Sequence, residues 1–300
     1  MKHRLAALLL LAPFTASAET STYYLYVLNQ PEPGREAEYN DWYSNRHAPD
    51  VVSIPGFVSA QRYVASEQQM RPDAKPPVKY MIEFKIITDD LTAVMGEVNR
   101  RIRDGVTVID PVIGKGPPPG SGGGGGTYKA ITGVVPGKGG DVPNAKKGSR
   151  THYIQVVYST ATPGKENEFI HWYTKVHAPS VAATPGIQQW QLMQASPVAI
   201  SGRPPDPNGA GANAVGPNAD SASGTNYMVK FDIESRDIQA VFARYLRDAR
   251  ASKLPDLGDA GKIGAGYTYR AIGPLISGEA VRKGREKKGC VVVMPSKPCT

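Results

Sequence analysis

The chain has 300 residues, with Lys+Arg 35 against Asp+Glu 27 and a formal net charge of +8. Two cysteines exclude a disulfide-dense scaffold and a cysteine-rich metal domain, and no apolar run reaches the roughly 18 residues that a transmembrane helix requires. Gly 32 and Pro 26 together predict long irregular segments between the packed ones.

The N-terminus carries Lys2 and Arg4, then an apolar run from Leu5 to Phe14, then Ala16-Ser17-Ala18. This is the order of a secretory signal peptide cleaved after residue 18, and it predicts a periplasmic or secreted protein. The expected first strand is Tyr23 to Leu28, rich in aromatic and β-branched residues. Pro33-Gly34 reads as a turn. A helix begins at Glu36 and is expected to stop at Pro49 and Pro55-Gly56. Phe57 to Val64 and Lys79 to Ile87 read as strands two and three. Asp89-Asp90 can cap a helix reaching Arg103, and Thr127 to Val135 reads as strand four.

A shift of 130 superposes Pro33–Gly56 on Pro163–Gly186, with twelve of 24 positions identical. Tyr80-Met81-Ile82-Glu83-Phe84 then answers Tyr227-Met228-Val229-Lys230-Phe231 at a shift of 147, and Thr127 to Ile131 answers Thr268 to Ile272. The second copy repeats the elements, with strands near 152–159, 186–194, 226–233 and 267–273 and a second helix near 236–250. Each copy reads βαββαβ, the ferredoxin-like plait, so the fold class is α+β. Such a plait leaves one sheet face open. The first strand is apolar or aromatic on both faces, Tyr24, Tyr26 and Leu28 on one and Tyr23, Leu25 and Val27 on the other. The two sheets are therefore expected to pack together as an intramolecular α+β barrel.

The expected organisation is a signal peptide over 1–18, a first repeat over 19–135, a linker over 136–150, and a second repeat over 151–278. A Gly/Pro-rich insertion occupies 201–224 and a basic tail occupies 279–300. The segment from Gly114 to Gly126, the stretch from Gly133 to Arg150 and the insertion read as mobile surface loops, the insertion equally as a lid. The tail reads as solvated, with a disulfide between Cys290 and Cys299 stapling it. Nucleic acid is not an expected partner, since no aromatics interleave the basic residues.

Tyr43 and His47, like Tyr173 and His177, stand four apart on one helix face. Near a helix C-terminus the imidazolium form is favoured, so each histidine is either a cap or an acid–base group. Trp42 and Trp172 lie on the helix stripe, where packing competes with a ligand-binding role. Arg46 and Arg62 become Val176 and Leu192 in the second copy, so copy one is the expected working site, with an arginine able to hold a carboxylate. No phosphate loop, dinucleotide fingerprint or nucleophile elbow is present. No metal and no cofactor are expected: one repeated histidine per copy makes a weak metal or haem site.

The doubled pattern E-x-x-x-W-Y-x-x-x-H-A-P followed by P-G resembles the EthD-like branch of the dimeric α+β barrel superfamily, over about 23–135 and 152–277. That resemblance implies a fused dimer with an aromatic-lined pocket between sheet and helices and a small, largely apolar ligand. The expectation is a cofactor-independent lyase, cyclase or oxygenase acting on a small aromatic or polyketide-like carbonyl compound. His47 with Tyr43, and His177 with Tyr173, would supply the acid–base chemistry. The alternative is a non-catalytic exported binding protein for a small apolar ligand.

Overall fold

The computed structural model describes residues 19–107, 126–145, 148–198, 225–252 and 254–287. The expected signal peptide over 1–18, the insertion over 201–224, both cysteines and nearly all of the Gly114–Gly126 segment lie outside the described residues. The first half runs β1 (Ser21–Asn29), α1 (Glu36–Trp42), a π-turn (Tyr43–His47), α2 (Ala48–Val52), β2 (Phe57–Ala65), β3 (Tyr80–Thr88), α3 (Leu91–Arg103) and β4 (Gly126–Ala130). After the short β5 (Val135–Pro136) the order recurs as β6 (Thr151–Ala161), α4 (Glu166–Trp172), a π-turn (Tyr173–His177), α5 (Ala178–Ala182), β7 (Ile187–Ala195), β8 (Thr225–Ser235), α6 (Ile238–Ala251) and β9 (Gly261–Ser277). A final helix, α7, spans Gly278–Lys287.

The result is a mixed α/β molecule built on one large antiparallel sheet. Strand order is β4-β1-β3-β2-β9-β6-β8-β7, and β4 also pairs with β7, so eight strands close on themselves. β5 continues along β7 at Trp190 and Gln189. Alternation along each strand sorts side chains to two sides. Tyr24, Tyr26 and Leu28 join Tyr63, Tyr128, Tyr158 and Tyr269 inside the ring. Leu25, Ile82, Phe84 and Ile86 meet Tyr39, Val51 and Met95 beneath the first-half helices, and Val229, Phe231 and Ile233 meet Phe169, Val181 and Val241 beneath the second-half ones. Complete burial of a side chain such as Phe84 or Phe231 contributes roughly 2 kcal/mol.

The longer helices start where carboxylates can cap them. Asp90 Oδ1 accepts from Ala93 N at 2.9 Å, and Asp237 Oδ1 from Ala240 N at 3.2 Å. Gly56 and Gly186 turn the chain into β2 and β7 with φ of 94° and 99°, a region unfavourable to other residues.

Three expectations need correction. Pro49 and Pro179 do not end the first helix of each half. The π-turn before them shifts the hydrogen-bond ladder by one residue, and the proline, which has no N–H to donate, then sits in the first turn of α2 or α5. The stretch after β4 is not a loose loop. Lys138 N donates to Ala182 O and Gly139 N to Ile187 O, both at 2.8 Å, and Val135 and Val142 pack on the second-half core. The start of the basic tail is not simply solvated. It forms α7, whose Arg282 donates to Val52 O at 3.2 Å and Phe57 O at 3.0 Å, while Arg285 reaches Asp50 and Ser53. Among the described residues no helix is long and apolar enough to cross a membrane.

Candidate functional site

The π-turn brings three aromatic rings of each half together. His47 stacks on Trp42 with ring centroids 4.7 Å apart and meets Tyr43 edge-on at 4.9 Å. His177 repeats this against Trp172 at 4.9 Å and Tyr173 at 5.2 Å. These sequence-selected residues are neighbours, but in a different setting from the expected one. The helix runs on past both histidines, so neither occupies a C-terminus whose open carbonyls would favour imidazolium. Burial pushes the His177 imidazole down to about 4 and leaves it neutral near pH 7. Burial also pushes the Tyr43 hydroxyl up to about 12, against the opposing effect of a hydrogen bond from Asn29 at 3.3 Å. Tyr173 is raised by burial as well. A tyrosine in that state donates a hydrogen bond and does not serve as a base.

A cavity of about 710 Å³ opens beside this cluster in the first half, at the seam where β2 meets β9. One wall is α1 with the π-turn that continues it, which present Glu36, Asn40 and Ser44 at helical spacing. Arg62 of β2 and Lys79 and Tyr80 at the start of β3 form the floor, and Tyr153 and Arg270 enter from the second half. Trp42, Tyr43, Arg46 and His47 are not part of this lining. Arg46 lies on the outer face, 54% exposed, and pairs with Asp50 at 3.1 Å.

Arg62 is the unusual group. It is 5% exposed. Its guanidinium donates to Asn40 O at 3.0 Å, Ser44 Oγ at 2.6 Å and Asn40 Oδ1 at 2.7 Å. It lies 5.3, 5.0 and 5.7 Å from the ring centres of Tyr39, Tyr43 and Tyr80. Among the described residues it makes no ion pair. Ring faces and neutral oxygens compensate a buried cation only in part. Beside it, Tyr80 donates to Glu36, Asn40 donates to Tyr80 at 3.1 Å, and Lys79 pairs with Glu36 at 2.6 Å. The hydrogen bond from Lys79, with help from Tyr80, holds the Glu36 carboxyl below its usual range. Burial raises the Tyr80 hydroxyl. Arg270 makes no hydrogen bond or ion pair through its side chain among the described residues.

The second half lacks this polar set. Ile170, Leu192 and Asn226 stand where Asn40, Arg62 and Lys79 stand in the first, and Ile170 and Leu192 belong to the apolar cluster of the second half. The Arg62/Leu192 difference between the halves falls at this cavity. Glu36, Asn40, Ser44, Lys79, Tyr80 and Arg270 were not singled out for a pocket from sequence. The available signal was the polar Glu36-Asn40-Ser44 stripe and its partial replacement by Ile170. Among the described residues no group of three potential metal ligands occurs.

No family model matches the chain, and no curated protein matches it. Solved structures do. An anthrone oxidase-like protein is 10% identical, with a TM-score of 0.43, covering 88% of this chain and 94% of its own. A candidate monooxygenase from Lactobacillus acidophilus NCFM is 10% identical, with a TM-score of 0.41 and coverages of 87% and 97%. The encapsulated DyP-type peroxidase from Mycobacterium smegmatis is 11% identical, with a TM-score of 0.43 and coverages of 90% and 96%. At these values no residue role passes from those proteins to this one.

Proposed function

We propose that this is an exported protein made of two fused EthD-like halves, an intramolecular version of the dimeric α+β barrel. Its first half binds a small aromatic or polyketide-like carbonyl compound in anionic form: carboxylate, phenolate or enolate. The observation that carries the reading is Arg62, a buried guanidinium without a carboxylate partner among the described residues, on the floor of a cavity of about 710 Å³. An anionic oxygen supplies the missing countercharge, with Arg270 and Lys79 near enough in the lining to add to the field. Tyr80 and Tyr153 provide flat apolar surface for a ring.

Catalysis is the second reading, and the same guanidinium supports it. A charge held ready for an oxyanion is what a cofactor-independent lyase, cyclase or oxygenase needs when a carbonyl compound becomes an enolate. The binding reading takes precedence because neither Glu36 nor Tyr80, the two acids hydrogen-bonded to each other in the lining, is poised to exchange a proton near neutral pH. Glu36 is held ionised and Tyr80 is held protonated.

Calorimetric titration with a panel of aromatic carboxylic acids, phenols and acidic polyketide-like carbonyl compounds tests this. The expected result is one site per chain, selective for anionic members over neutral isosteres. In Arg62→Leu, which copies the second half, affinity should fall roughly 10- to 100-fold, the value of one hydrogen-bonded charge. A melting curve confirms that the variant is folded. Two equivalent sites, or equal affinity for neutral isosteres, would reject the proposal. Product analysis of the same mixtures then separates turnover from binding.

A further inference from the structure

The ring interior contains a charge pattern that the cavity does not use. β3 and β8 lie four strands apart in either direction around the ring of eight, so they face each other across the lumen. At its centre Lys230 Nζ sits 2.9 Å from Glu83 Oε1 and 3.0 Å from Oε2. The two side chains are 9% and 10% exposed. Tyr26 donates to the same carboxylate at 2.6 Å, and Lys230 lies 5.0 Å from the Tyr24 ring centre. Asp232 is 3.8 Å from Lys230 and is held by Gln189 at 3.0 Å and His152 at 3.2 Å.

Glu83 and Lys230 are the same position of the two copies, at the shift of 147 that aligns β3 with β8. So are Lys85 and Asp232. At both positions the charge is reversed between the halves. If a half paired with its own kind, the Glu83/Lys230 position would meet itself. Two Glu83 carboxylates, or two Lys230 ammoniums with the Asp232 carboxylates beside them, would face each other among the tyrosine, methionine and aliphatic side chains of the lumen. A buried like-charge contact of this kind is strongly unfavourable. Hydrophobic closure discriminates less sharply, because both halves line the lumen with aromatic, methionine and aliphatic side chains, although Tyr24, Tyr26 and Tyr63 answer Ile154, Val156 and Met193. Met81 answers Met228 and Tyr128 answers Tyr269.

We infer that the Glu83–Lys230 contact selects the partner: it makes each half close only on the opposite half and bars pairing with a second copy of itself. This rests on the alignment of the halves and not on the ligand proposed above.

The test uses charge reversal in the full chain. Glu83→Lys sets two lysines against each other, and Lys230→Glu two glutamates. Each should lower the melting temperature by about 10 °C. The double variant E83K/K230E restores opposite charge and should recover most of that loss. Equimolar co-refolding of the two single variants provides the decisive readout, since exchange of halves between the chains gives two barrels, each with one lysine and one glutamate. Sedimentation should then show a two-chain particle that neither variant forms alone. Single variants that melt like the unaltered chain, a double variant that regains nothing, or a mixture that sediments as its separate components would each overturn the inference. The double variant and the mixture remain informative even if a single variant fails to fold.

Discussion

Individual residues carry the difference between the halves. His47 and His177 occupy matching aromatic stacks, yet only the first-half stack adjoins the polar cavity. For His177 the pH dependence has a defined sign. The free imidazole titrates near 6.5 and the folded one near about 4, so between those values the unfolded chain binds more protons. Its contribution is complete above pH 6.5 and is lost as pH falls toward 4, on the order of 2 kcal/mol. Melting temperatures measured from pH 7.5 to 4.5 should therefore drop less steeply in His177→Gln than in the unaltered chain, and parallel profiles would count against a buried neutral imidazole. At this scale the sequence showed the repeated Tyr–His pair and the Arg62/Leu192 asymmetry. It did not show the cavity, because its floor and walls come from α1, β2, β3 and β9. Arg270 reaches it only through the β2–β9 pairing, over 200 positions further along the chain.

Elements show where local signals were sufficient and where tertiary contacts outweighed them. The alternation in β1 and the Asp90 cap were legible because each depends on neighbouring residues. The end of the first helix was misread because proline is normally a terminator, and nothing local announces a π-turn that absorbs it. The docked linker and α7 were misread because a Gly-, Pro- or Lys-rich composition reports solvation and not the carbonyls waiting on another element. Those carbonyls match between the halves. Val52 O and Phe57 O accept from Arg282, while the equivalent Ala182 O and Ile187 O accept from the linker backbone. α7 is therefore a structural clamp on the first half. A chain ended at Ser277 should lose about 2–4 kcal/mol, from orphaned carbonyls and from the loss of Arg285 beside the buried Asp50. Urea denaturation measures this, and an unchanged midpoint and slope would remove the clamp role.

At the scale of the whole molecule, the closed ring makes the halves energetically inseparable. Each four-strand set leaves edges and an apolar lumen face that only the other set covers, through β2–β9 and β4–β7. Calorimetry should accordingly show a single transition for both halves, and two separated transitions would mean that the halves stand alone. The last of these strands has a further consequence. β9 pairs with β6 on one side and with β2 on the other, placing Ser277 opposite Ser59. During synthesis, the ring stays open until β9 has emerged. Until then the lumen side of the first half has no lasting partner, and the growing polypeptide is held short of its final topology. For the export proposed above, which threads a chain through a membrane unfolded, that delay is written into the order of the strands.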